Sequence, residues 1–147
     1  MMKIIATLGV VAVLLAAAAC GPGSAGSGGG AAAETGKEIK SGKVGSLTVI
    51  ISNEEGVLKQ GDEEFFVTFK DAAGKPVDVG AASLNFYMPA MGTMPVMNDP
   101  ATLTTTATPG VYSAKAKIEM AGEWQAQVAY EGSAGSGKGS FPVTAQH

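Results

Sequence analysis

Four methionines recur at every third position through Met88-Pro89-Ala90-Met91-Gly92-Thr93-Met94-Pro95-Val96-Met97. A thioether sulfur is a soft, uncharged donor that suits Cu(I), or Ag(I) in its place. It carries no proton to displace, so binding would persist at mildly acidic pH. Beyond Met1 and Met2, the chain's 7 methionines are these four and Met120. The sharp expectation is therefore a Cu(I) site with Met88, Met91, Met94, Met97 and Met120 as its ligand pool, shielded by the rings of Tyr87 and Trp124. Two plainer readings stand beside it. Unbranched, polarizable side chains also fill irregular gaps at the end of a core, and an exposed methionine patch can serve as an adaptable docking surface. His147, the only histidine, would join a metal site only if the last strand ran toward the methionines; a frayed terminus is the plainer expectation.

The other residue with distinctive chemistry is Cys20. Lys3 supplies a small positive region, Ile4 to Leu15 is almost wholly apolar, and Ala16 to Ala19 are small, which is the pattern of a signal peptide over 1–19. Gly21-Pro22-Gly23 follows at once, so the stretch does not read as a lasting membrane span. Ala17-Ala18-Ala19-Cys20 resembles a bacterial lipobox with Ala17 in place of the usual leucine. That resemblance implies lipidation of Cys20 and anchoring to a membrane. Gly21 after the cysteine implies the outer membrane, facing the periplasm, in a Gram-negative cell. Residues 20–43 then read as a flexible linker: Gly21 to Ala33 has no charge and no hydrophobic period, and Glu34 to Lys43 adds solubility.

From Val44 onward, apolar residues alternate in short runs separated by Gly, Pro, Asn and Asp, with no amphipathic helical stretch. The expectation over 44–147 is an all-β domain of seven strands: Val44 to Ser52, Glu63 to Lys70, Ala81 to Met88, Ala101 to Thr108, Val111 to Glu119, Glu123 to Tyr130 and Gly139 to Thr144. Their inward faces would be Leu47, Val49, Ile51; Phe65, Val67, Phe69; Leu84, Phe86; Tyr112, Ala114, Ala116, Ile118; Trp124, Ala126, Val128; and Phe141, Val143. Seven short antiparallel strands suggest an immunoglobulin-like sandwich. If consecutive strands alternate in direction, the methionine segment and the turn holding Met120 fall at one pole and the Gly/Ser-rich Glu131 to Lys138 hairpin at the other. Pro89, Pro95, Pro100 and Gly92 predict that the methionines lie on an irregular loop.

Composition narrows the function further. Ten lysines without arginine, against 13 acids, give a net charge of -3, which does not favour nucleic-acid binding. One cysteine and one histidine leave no disulfide framework and no Cys/His zinc set. No nucleophile and base pair emerges, so a non-enzymatic protein is expected. Asn53 and the acids Glu54, Glu55, Asp62, Glu63 and Glu64 lie around the first connection without the order of a calcium loop.

Phe86 to Met97, Gly110-Val111-Tyr112, and Met120-Ala121-Gly122-Glu123-Trp124 with Val128 together resemble the YtkA-like or FixH-like domain, which is also appended to periplasmic adaptors of copper and silver efflux pumps. The resemblance implies an immunoglobulin-like fold in the bacterial envelope, near heavy-metal export or oxidase assembly, with proteins of those systems as partners. Members commonly carry a Met-Pro-x-Met-Pro-Gly-Met loop. Here the corresponding run is Met88-Pro89-Ala90-Met91-Gly92-Thr93-Met94, without the second proline and with the glycine shifted.

Overall fold

The structure, a computed structural model, describes residues 36–147, and all of their regular structure is β. Nine strands follow in chain order: β1 (Lys37–Val44), β2 (Leu47–Asn53), β3 (Leu58–Lys59), β4 (Gly61–Lys70), β5 (Ala81–Met88), β6 (Met97–Thr105), β7 (Val111–Ile118), β8 (Gly122–Gly132) and β9 (Gly135–Gln146). They hydrogen-bond in the order β1-β2-β4-β7-β6-β5-β8-β9-β3. Every pairing is antiparallel except the short β3 with β9.

The continuity of this sheet depends on β6. Its first half, to Ala101, pairs with β5, and from Thr102 it pairs with β7. One strand thus carries the chain from one half of the sheet to the other. At the opposite side β1 lies against β9: a Cβ added at Gly42 would sit 2.4 Å from the Phe141 ring. The sheet is therefore nearly closed around its interior.

Alternation explains the interior. All the residues expected to face inward are in the buried cluster, where Val44, Leu58, Val79, Met88, Tyr130 and Ala145 join them. Side chains from separate regions of the sheet meet edge to face, Phe65 with Phe86 at 5.8 Å and Phe69 with Tyr130 at 5.8 Å. Such contacts add to the burial of the rings themselves. Trp124 is fully buried, as its alternation with Ala126 and Val128 predicts.

Four details of the strands depart from the sequence expectation. Glu131 to Lys138, expected as a long Gly/Ser-rich loop, instead continues β8 and β9 as a ladder that pairs Glu131 with Ser136 and Gly132 with Gly135. Nine strands are present where seven were expected. Residues Lys37 to Lys43, read as part of the linker, belong to β1 and pair with β2. They lack an apolar period because β1 covers an edge and presents only Ile39 and Val44 to the core. Finally, β6 begins at Met97, ahead of Ala101, and ends at Thr105. Pro100 is tolerated there because this half of β6 has β5 as a partner on one side only, so a missing N–H need not break a ladder. The signal segment 1–19, Cys20 and most of the expected linker lie outside the described residues.

Candidate metal site at the methionine pole

The methionine segment is more regular than a loop. Across β5 and β6 the register runs Phe86 with Asp99, Tyr87 with Asn98, and Met88 with Met97. Beyond the strands, Met91 and Met94 form an isolated antiparallel bridge in that same register. The Met91 amide donates to the Met94 carbonyl at 3.2 Å and the Met94 amide to the Met91 carbonyl at 2.9 Å. Pro89 and Pro95, which have no N–H, interrupt the ladder between these points. Gly92 turns the tip with φ of 59°, in the left-handed region that suits glycine. The expectation of an irregular loop is thus corrected to an interrupted hairpin with a two-residue turn.

This geometry sorts the sulfurs. Side chains on extended backbone change face at each residue, so a spacing of three changes face at every step along one arm, while cross-strand partners share a face. Met88 and Met97 form the inward pair. Met88 is buried at 2 % exposure and Met97 packs against the core. Met91 and Met94 form the tip pair, with Met91 54 % exposed and Met94 partly covered. The five candidate ligands are brought to one pole, but not onto one face.

Met120 belongs with the inward pair. It lies on the turn between β7 and β8 and packs against the core. The Met88 Cε reaches the same turn, 3.3 Å from where a Cβ on Gly122 would stand. Side chains hold that turn from three sides. Asp99 Oδ2 accepts the Glu119 amide at 2.9 Å, Gln60 Nε2 donates to the Glu119 carbonyl at 3.0 Å, and the Trp124 indole N–H donates to the Met120 carbonyl at 3.0 Å. Trp124 therefore braces the backbone that carries Met120, whereas Tyr87 stands on the outward face and remains partly exposed.

Asp99 is the residue that sequence reasoning missed. It is 6 % exposed, opposite the buried Phe86 and two positions from Met97. In the sequence it sits in Asn98-Asp99-Pro100, which reads as a turn; only the earlier start of β6 puts it on the inward face. His147 is exposed at the end of β9, whose Ala145 pairs with Gly122, so the last strand does run to the methionine pole. Among the described residues no three His, Cys, Asp or Glu side chains gather as a metal-binding group, and any ion site at this pole has to be built mainly on thioethers.

The acids around the first connection form a separate surface. Asn53 Oδ1 accepts the amides of Glu55 and Gly56 at 3.1 and 2.6 Å, closing the turn before β3. Lys59 pairs with Glu55 and Lys115 with Glu64, all at exposed positions. Partial burial raises the Glu63 carboxyl above its usual range, and the charge of Glu55 adds to the effect; the Lys59 backbone amide, the Lys59 charge and the Asn53 side chain oppose it.

A family model described as YtkA-like matches residues 42–129, a span that holds β2 to β7, the methionine hairpin, the Met120 turn and most of β8. No curated protein and no solved structure matches the chain.

Proposed function

The chain belongs to the YtkA-like family, and from that premise we propose that it is a non-enzymatic, lipid-anchored protein of the bacterial envelope whose methionine hairpin binds Cu(I) or Ag(I), in metal sequestration, delivery or tolerance. The observation that carries this reading is the register that pairs Met88 with Met97 and Met91 with Met94. Thioethers spaced along one arm alone would alternate faces and diverge. Paired across a hairpin, they stand two by two, and Met120 adds a third sulfur beside the inward pair. Neutral sulfur donors of this kind select a soft monovalent ion over the hard cations that carboxylates prefer. We read the nearly closed sheet as an immunoglobulin-like sandwich, with Cys20 as the lipid attachment point and the outer membrane as its site in a Gram-negative cell.

The test is competition for Cu(I) against a chromogenic chelator, using the wild type, Met88→Leu/Met97→Leu and Met91→Leu/Met94→Leu. Leucine preserves most of the packing volume while removing the sulfur. The wild type is expected to withdraw metal from the chelator and at least one pair of substitutions to abolish that. Equal competition by all three proteins refutes ligation.

A second reading has its own observation. Met91 and Val96, 54 % and 47 % exposed, are the exposed large hydrophobics among the described residues, and both lie on the methionine hairpin. Spread along the hairpin from its Met91 tip to Val96 beside the start of β6, they suit an apolar docking patch for another envelope protein, such as one of metal efflux or oxidase assembly. Val96→Ser separates the readings, since it would weaken docking and leave Cu(I) affinity unchanged.

A further inference from the structure

We infer that Asp99 supplies the buried negative charge that balances a monovalent metal ion held by the inward sulfurs Met88, Met97 and Met120, an inference that rests on the Cu(I) reading of the hairpin. Thioethers are neutral, so a Cu(I) ion bound by them alone keeps its full positive charge while losing its water. Moving such a charge into a protein interior is costly unless a counter-charge lies nearby. Asp99 has the placement for that role. It is 94 % buried by complement of its 6 % exposure and lies on the inward face two residues from Met97. It is tied at 2.9 Å to the amide of Glu119, the residue before Met120. Met88 closes the same small region, with its Cε at the Gly122 end of that turn. The tip pair Met91 and Met94 stands on the more exposed face, where water rather than a buried carboxylate would screen an ion.

The single bond to the Glu119 amide does not itself require a charge. A neutral amide oxygen could accept from that N–H equally well, and burying a carboxylate where an amide would serve is unfavourable. A cation beside it gives the charge a use. The inward set is accordingly the high-affinity site for the ion, made of three soft donors with one hard anion close by, and the tip pair is the weaker, outer site.

Asp99→Asn tests this, because asparagine keeps an oxygen for the Glu119 amide and removes the charge. Cu(I) affinity is read by chelator competition on the full chain, together with thermal melting and hydrogen exchange of the Glu119 amide. An opposite charge within roughly 10 Å in a partly shielded interior is worth about tenfold in affinity. The expected result is therefore a loss of about tenfold with melting and Glu119 protection unchanged. Should the asparagine variant not melt cooperatively, Asp99→Ser, which also keeps an acceptor, takes its place with the same readouts. Binding by the wild type with an undiminished affinity in the variant overturns the counter-charge and leaves the Cu(I) reading standing. A loss of affinity accompanied by loss of Glu119 protection also overturns it, since the residue would then act only by holding the turn. A wild type that takes no metal from the chelator removes the Cu(I) reading itself and this inference with it.

Discussion

Met91 and Met94 exchange both of their backbone hydrogen bonds, each amide donating to the other's carbonyl, across a turn of only Gly92 and Thr93. This closed tip holds the hairpin in register after two prolines have interrupted it. Gly92 makes the closure possible at φ of 59°, and nothing lies within 4 Å of where its Cβ would be. A substitution there is strained by conformation alone. Gly92→Val should cost about 1–2 kcal/mol locally, opening the Met91 and Met94 amides to hydrogen exchange. The midpoint of global thermal unfolding should hardly move, because the tip buries little. A large drop in melting temperature would contradict this separation of tip from core.

The sorting of sulfurs by face predicts a sharp contrast in stability. Met88→Ala removes a fully enclosed side chain and should destabilise by about 2–5 kcal/mol. Met91→Ala, at an exposed tip, should change stability by no more than about 0.5 kcal/mol. Denaturant unfolding of the two variants measures the difference directly. Comparable losses would mean that the hairpin tip folds back on the protein.

How much of this was legible in the sequence differs from strand to strand. The inward residues of β2, β4, β5, β7, β8 and β9 follow from alternation because each strand has one buried face. β1 escaped notice because Lys37-Glu38-Ile39-Lys40-Ser41-Gly42-Lys43 has almost nothing apolar to alternate. It is recruited by pairing with β2 and by contact with β9, neither of which leaves a local signature. The hairpin register escaped for a related reason: prolines speak against a strand locally, while the pairing of Met88 with Met97 comes from β5 and β6 as a unit. The gathering of methionines at one pole was legible, since it needs only strand counting. The buried Asp99 was not, because its inward position depends on where β6 begins.

The contact of β1 with β9 can be tested at Gly42. A Cβ there would approach Phe141 ring carbons at 2.4 Å, far inside van der Waals contact, although Gly42 has no unusual φ. Gly42→Val should force β1 away from β9 and destabilise by about 1–3 kcal/mol, the usual scale of overpacking. Adding Phe141→Leu should recover part of that loss. Independent, additive effects of the two substitutions would argue that the edges do not meet as tightly as described.

Two hydroxyls are buried without a hydrogen-bonding partner among the described residues, Ser52 Oγ and Thr68 Oγ1. Thr68 is 2 % exposed on β4, between Ile50 of β2 and Val111 of β7. Valine has the same branched shape without the polar atom, and an unsatisfied buried hydroxyl is unfavourable. Thr68→Val should therefore stabilise the fold, by about 1 kcal/mol, in denaturant unfolding. A loss of stability would reveal a hydrogen bond to ordered water at that position.

The acidic rim gives a pH dependence whose sign follows from Glu63. Burial, with the neighbouring charge of Glu55, raises its carboxyl above the ordinary range, against the pull of the Lys59 amide and charge and of Asn53. A carboxyl with a raised pKa holds its proton more tightly in the fold than in the unfolded chain. Its stabilising effect is complete below the ordinary carboxyl pKa and is lost as pH rises through the raised value. Glu63→Gln, which keeps both acceptor geometry and neutrality, should therefore leave stability unchanged near pH 3.5 and raise it at pH 7. The group is only partly buried, so solvent screens the gain to on the order of 0.5 kcal/mol. Melting curves of the two proteins across that interval should separate as pH rises. A glutamine variant less stable than the wild type at pH 7 would reverse the sign and show that the favourable contacts with Lys59 and Asn53 outweigh burial.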